Sequence, residues 1–151
     1  MQNMNTEPTT LVKIAKSYDY EIAVIGAGGI GSHTLSVLVP ALHRGELLKS
    51  TEQITIRVYD SDKVSEENLA HQRFMPEDVG KHKVTAIVES LAPFTSDRLQ
   101  LVACPWDVRE DSDMTPADLT VVAVDSAIAR RVVHSSAVSY THLTLPTNSR
   151  V

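Results

Sequence analysis

YEIAVIGAGGIGSHT, Tyr20 to Thr34, decides the fold. Apolar and branched residues run up to Gly26-Ala27-Gly28-Gly29-Ile30-Gly31, and an amphipathic helical pattern follows. A strand, a tight glycine turn and a helix start in that order make a phosphate cradle. Backbone N–H groups and the positive end of the helix dipole face the anion, and the glycines let it come close. A nicotinamide or flavin dinucleotide and ATP both suit such a turn, and the glycines alone do not choose between them.

Outward from the turn, strand and helix alternate. Ile22 to Ile25 reads as a short buried strand, and Ile30 to about Leu42 as a helix with Pro40 near its end or at a kink. The polar stretch His43 to Gln53 is a connection holding a fragment of helix. Ile54, Ile56 and Val58 alternate with polar residues in a second strand that ends on Asp60. The next stretch, SDKVSEENLAHQRFMPEDVG, is irregular with one turn of helix at most. From Lys81 to Leu91, Val84, Ile87, Val88 and Leu91 follow helical spacing, and Pro93 marks the end.

Leu99, Leu101 and Ala103 suggest a third strand, and residues 105–117 form an acidic loop. LTVVAV, Leu119 to Val124, is continuously apolar, as in a strand buried on both faces. Ala127 to about Val138 is helical. The expected fold is therefore α/β, a Rossmann-like, doubly wound and mainly parallel sheet. Residues 21–138 form the nucleotide-binding domain, and residues 1–20 are a polar leader. Residues 139–151, SYTHLTLPTNSRV, carry no usable period and resemble translated sequencing-adaptor DNA. They are expected to be non-native or disordered, and the domain to be truncated at its C-terminal end.

Bulk composition narrows the partners. The chain has 151 residues, 42% of them hydrophobic and 22% charged, which suits one globular domain with a real core. A net charge of −5 without a basic run argues against nucleic acid. No apolar run approaches the roughly 20 residues of a membrane span, and MQNMNTEPTT lacks the layout of a secretory signal. The single cysteine, Cys104, leaves no internal disulfide and no cysteine-based zinc site. A cytoplasmic protein with no membrane partner is the expectation.

A dinucleotide fingerprint needs three glycines and an acid at the end of the second strand, and Gly26, Gly28, Gly31 and Asp60 supply them. The residues beyond Asp60 say more. Asp60-Ser61-Asp62 with Val64 and Asn68-Leu69, then Gln72, then Asp78-Val79-Gly80 with Lys83, and finally Asp125 with Arg130 stand in one order and register with Gly26 to Ser32. Together they resemble the ThiF-type adenylyltransferase family, over about Glu21 to Ala137. That family includes the enzymes that activate ubiquitin and those that activate the sulfur-carrier proteins of thiamine and molybdopterin synthesis.

The resemblance implies ATP and Mg²⁺ as cofactors and a reaction in which a carboxylate attacks the α-phosphate. Such chemistry rests chiefly on positioning and electrostatics. By the same resemblance, Gly26, Gly28, Gly29 and Gly31 cradle phosphate, while Asp60 and Asp62 belong to the nucleotide site, Asp60 on the ribose hydroxyls. Asn68 contacts the phosphates, Gln72 lines the site, Lys83 pairs with the phosphates, and Asp125 holds the metal. The implied partner is the C-terminus of a ubiquitin-like or sulfur-carrier protein, and the implied assembly a homodimer.

His71 stands where the family carries a phosphate-binding arginine, and Ser126 where an asparagine follows the aspartate. His71 is counted with Lys83 and Asp125 as a candidate catalytic residue, although imidazole makes no guanidinium fork. Lys13 and Lys16 are the stand-ins for an arginine that, in the family, reaches the partner subunit's site. Further strands, a catalytic cysteine and paired zinc cysteines are common in the family and absent from this chain. It is therefore expected to bind a nucleotide without completing the reaction.

Taken singly, each residue has an ordinary reading. Asp60 and Asp62 can cap a turn, Lys83 can be a solvated helix residue, and Asp125 can cap the next helix. His71 alone would be a surface histidine, and Cys104 a small core filler. Two other functions stay open on the sequence: an NAD- or FAD-binding domain of an oxidoreductase, and a degenerate, non-catalytic module of the same fold.

Overall fold

The computed structural model describes residues 18–124 and 127–137. Four parallel strands form one sheet in the order β3-β2-β1-β4. They are β1 (Tyr20–Ile25), β2 (Ile54–Tyr59), β3 (Leu99–Cys104) and β4 (Leu119–Val122). The helices are α1 (Gly29–Arg44), α2 (Glu46–Ser50), α3 (Lys83–Leu91) and α4 (Ala127–Ala137). This is the expected doubly wound architecture, and residues 139–151 and most of the 1–20 leader lie outside the described residues.

Alternation along the strands sorts side chains into two cores. Ile22, Val24, Ile54, Ile56, Val58 and Leu99 pack on one face against Leu35 and Val39 of α1 and Val84, Ile87 and Leu91 of α3. Ala23, Ile25, Tyr59 and Cys104 point to the other face, where Val108 and, from α4, Val132 and Val133 meet them. Every side chain from Ile22 to Ile25 is buried, as expected for a central parallel strand. Cys104 is core filler at the end of β3, and burial pushes its thiol pKa up, which suppresses the reactive thiolate.

Three local expectations change. β4 is not buried on both faces: Leu119 is 44% exposed and its three successors are half-buried. Among the described residues the strand pairs with β1 alone and stands at the margin of the described sheet. α3 begins at Lys83, not Lys81. The two preceding residues are held in an antiparallel contact, with Lys63 bridging His82 and the Val64 N–H donating to the Lys81 carbonyl at 2.9 Å. The irregular segment after β2 holds two short 3₁₀ turns, Glu66–Ala70 and Pro76–Asp78. In the first, the Asn68 side chain accepts from the Ser65 N–H at 2.9 Å and acts as a cap.

Candidate functional site

The glycine loop lies at the carboxyl end of β1, between β2 and β4, where the strand order turns back. Such a switch point is the ligand crevice of open α/β sheets. The four glycines there differ in what they meet. Gly26 has φ +103°, and a Cβ on it would lie 2.6 Å from the Ala123 carbonyl oxygen. A Cβ on Gly31 would collide with the Gly26 carbonyl. Those two are glycine because β1, α1 and the end of β4 close on one another.

Gly28 and Gly29 are under no such constraint. Their nearest protein atoms to a built Cβ are Gln72 Nε2 at 4.0 Å and the His71 carbonyl oxygen at 3.5 Å. A methyl group at either position would sit at ordinary van der Waals distance from the protein, beside the first turn of α1. That turn has no side-chain cap and no acidic residue. Its N–H groups and the dipole behind them are left for an anion, so a phosphate fits this cradle.

Asp60 ties the loop to the end of β2. One carboxylate oxygen accepts the Ala27 N–H at 2.7 Å and the other the Asp62 N–H at 2.8 Å. Each oxygen keeps a second lone pair for an incoming hydroxyl. Asp62 reaches on to Lys83: the Lys83 N–H donates to the Asp62 carbonyl at 2.9 Å, and Lys83 Nζ lies 3.1 Å from Asp62 Oδ2. Lys83 is buried at the start of α3, so the solvated-helix reading fails for it. A chain of contacts therefore runs from the glycine loop through Asp60 and Asp62 to Lys83.

His71 and Gln72 close the 3₁₀ turn of Asn68, whose carbonyl accepts both of their N–H groups, at 3.2 and 2.8 Å. His71 is exposed. Gln72 faces the glycine loop, and its Oε1 is buried with no hydrogen-bond partner among the described residues. An orphaned buried acceptor is costly, and it marks the floor of this crevice as unfinished. Asp125 and Ser126 lie outside the described residues. On either side of them, Arg130 Nε of α4 donates to the Val124 carbonyl at 3.3 Å. Among the described residues no three acids, histidines or cysteines gather to hold a metal.

The loop after β3 was legible only as acidic. It is strapped to the Asp60 turn: Ser61 Oγ donates to Asp107 at 2.6 Å, and Arg109 pairs with the same carboxylate at 3.1 Å. The Ser61 hydroxyl, with the Arg109 guanidinium, holds the Asp107 carboxyl below the usual carboxylate range. No spacing in the sequence signals these partners, which are brought together by the pairing of β2 with β3.

Fold and site together define a Rossmann-like α/β domain with a parallel sheet and a glycine loop at its switch point. The sequence profile of the ThiF family matches residues 3–146, and the chain belongs to that family. Among solved structures it is similar to Escherichia coli MccB with MccA-N7isoASN, at 26% identity and a TM-score of 0.60, covering 80% of this chain and 34% of that one. MccB with ATP is similar at 27% identity and a TM-score of 0.54, over 72% of this chain and 30% of that one. The E. coli tRNA N6-threonylcarbamoyladenosine dehydratase TcdA shares the fold at 21% identity and a TM-score of 0.58, with 81% and 47% covered. This chain thus spans about a third of the length of the MccB chains it matches. No curated protein sequence matches it. No helix among the described residues is long and apolar enough to cross a membrane.

Proposed function

We propose that this chain is the nucleotide-binding part of an enzyme that uses ATP to adenylate the C-terminal carboxylate of a small ubiquitin-like or sulfur-carrier protein, and that it works as a homodimer. The observation that carries the reading is the division among the glycines. Packing requires Gly26 and Gly31, whereas the protein would admit a methyl group at Gly28 and Gly29, which stand at an uncapped helix start. Membership of the ThiF family and likeness to MccB with ATP favour ATP over a dinucleotide.

In this reading the N–H groups of Gly28 to Gly31 face the phosphates and the free lone pairs of Asp60 accept the ribose hydroxyls. The Lys83 ammonium pairs with a phosphate oxygen, and Gln72 and Asn68 line the wall, with the His71 imidazole at the rim. A carboxylate oxygen of the partner attacks the α-phosphorus. The bond to the bridging oxygen breaks, and pyrophosphate leaves with the electron pair. Negative charge that builds on the phosphoryl oxygens is met by donors already in place, which is how such sites lower a barrier. Mg²⁺ on Asp125 would supply charge neutralisation at the phosphates.

Equilibrium titration of the chain with Mg·ATP and, separately, with NADH tests the assignment. Saturable binding of Mg·ATP with none of NADH is the expected result. Preference for NADH would overturn it and return the Gly26, Gly28, Gly31 and Asp60 set to a dinucleotide.

A further inference from the structure

Lys83 presents an electrostatic problem that nothing in the adenylation reading solves. Its side chain is only 8% exposed, and it opens α3, where the positive end of the helix dipole disfavours a cation. A charge taken out of water needs a partner. The partner is Asp62, at 3.1 Å, whose own side chain is 67% exposed. The pair is therefore lopsided. Asp62 can return to water at little cost, and Lys83 cannot.

The backbone makes the arrangement specific. The Asp62 N–H is held by Asp60 and the Asp62 carbonyl by the Lys83 N–H. Its main chain stays fixed on both sides while its carboxylate remains free to turn. Asp60, the residue that fastens the glycine loop, thus stands two positions from the group that neutralises Lys83.

We propose that Asp62 is the resting counterion of Lys83, a positioning residue whose carboxylate is displaced by a phosphate when the nucleotide enters. The proposal rests on the adenylation reading for the identity of the ligand. Without nucleotide, Asp62 keeps the buried ammonium in its slot. With nucleotide, one anion replaces another on the same nitrogen, and the carboxylate swings into solvent. Asp62 consequently competes with the substrate, and removing its charge strengthens binding. A brace or a metal ligand at the same position would do the reverse.

The test is a double-mutant cycle on Mg·ATP affinity with Asp62→Asn, Lys83→Ala and the pair, and Asp62→Glu as the conservative variant. Asp62→Asn is expected to bind Mg·ATP roughly three- to tenfold more tightly than wild type, about 0.7–1.4 kcal/mol. Asp62→Glu should stay near wild type. In the Lys83→Ala background the Asp62→Asn change should alter affinity by less than about twofold, because the effect acts through Lys83. Weaker binding by Asp62→Asn overturns the proposal, and so does the same gain in both backgrounds, which would report a general field.

Melting temperatures of the nucleotide-free proteins give a second readout. Asp62→Asn should lower the midpoint when Lys83 is present and leave it unchanged when Lys83 is alanine. Equal losses in both backgrounds overturn the counterion role. If wild type fails to bind Mg·ATP, the adenylation reading falls, and inorganic pyrophosphate replaces ATP as the probe in the same cycle. Failure to bind either one overturns the displacement.

Discussion

Lys83→Ala should bind Mg·ATP at least tenfold more weakly than wild type in an equilibrium titration. Tenfold corresponds to about 1.4 kcal/mol, and a charge-assisted hydrogen bond contributes about 1.5–3 kcal/mol, so the loss of one such bond is enough. Lys83 Nζ is held in a slot from which water is largely excluded, and a charge screened from water acts more strongly on a phosphate. Arginine at the same position should restore only part of the affinity, because a planar fork does not fit a slot shaped for a slender stem. Circular dichroism of the variant separates lost binding from lost fold. Normal affinity for ATP in a folded Lys83→Ala protein would remove Lys83 from the site.

Gly31→Ala should be the most damaging small substitution in the loop. The added methyl group meets the Gly26 carbonyl, with its carbon at 2.8 Å, and these are backbone atoms that cannot rotate away. Relief requires α1 to lift from the end of β1, where Leu35 and Val39 are fully buried. Overpacking of this kind costs about 1–3 kcal/mol and sometimes more. For a chain of this size that corresponds to a fall in the melting midpoint of roughly 2–12 °C.

Gly28→Ala is the informative contrast. Its methyl group comes no nearer than 4.0 Å to Gln72 Nε2, so stability should change by no more than about 1 kcal/mol, the cost of alanine at a helix N-cap. Its affinity for Mg·ATP should nevertheless fall, because the methyl group occupies the phosphate cradle. If Gly28→Ala proved as unstable as Gly31→Ala while still binding ATP, the division of the glycines into packing and ligand positions would be wrong.

Much of the fold was legible because burial leaves a period in the sequence. Ile54, Ile56 and Val58 alternate, Val84, Ile87 and Leu91 repeat at helical spacing, and both patterns became buried faces. The glycine turn was legible because Gly26 adopts a positive φ and Gly31 has no room for a methyl group. Features made by long-range contact were not. Lys83 carries no sign of burial in its own sequence, and it is Asp62, 21 positions earlier, that permits it. The start of α3 shifted because Lys63 holds His82 in an extended bridge, which no helix propensity reports. Asn68, which the resemblance puts against phosphate, also caps its own turn through Oδ1, a local use of the side chain that the family motif alone did not reveal.

The central claim is that the phosphates of ATP lie on the glycine loop. Amide chemical-shift mapping of the ¹⁵N-labelled chain, titrated with Mg²⁺ and a non-hydrolysable ATP analogue, tests it most directly. The account predicts saturable shifts at Gly28, Gly29, Ile30 and Gly31, accompanied by Lys83 and Asp62, with the same dependence on nucleotide concentration. Saturable shifts confined to other parts of the chain, with the amides of Gly28 to Gly31 unmoved, would contradict it.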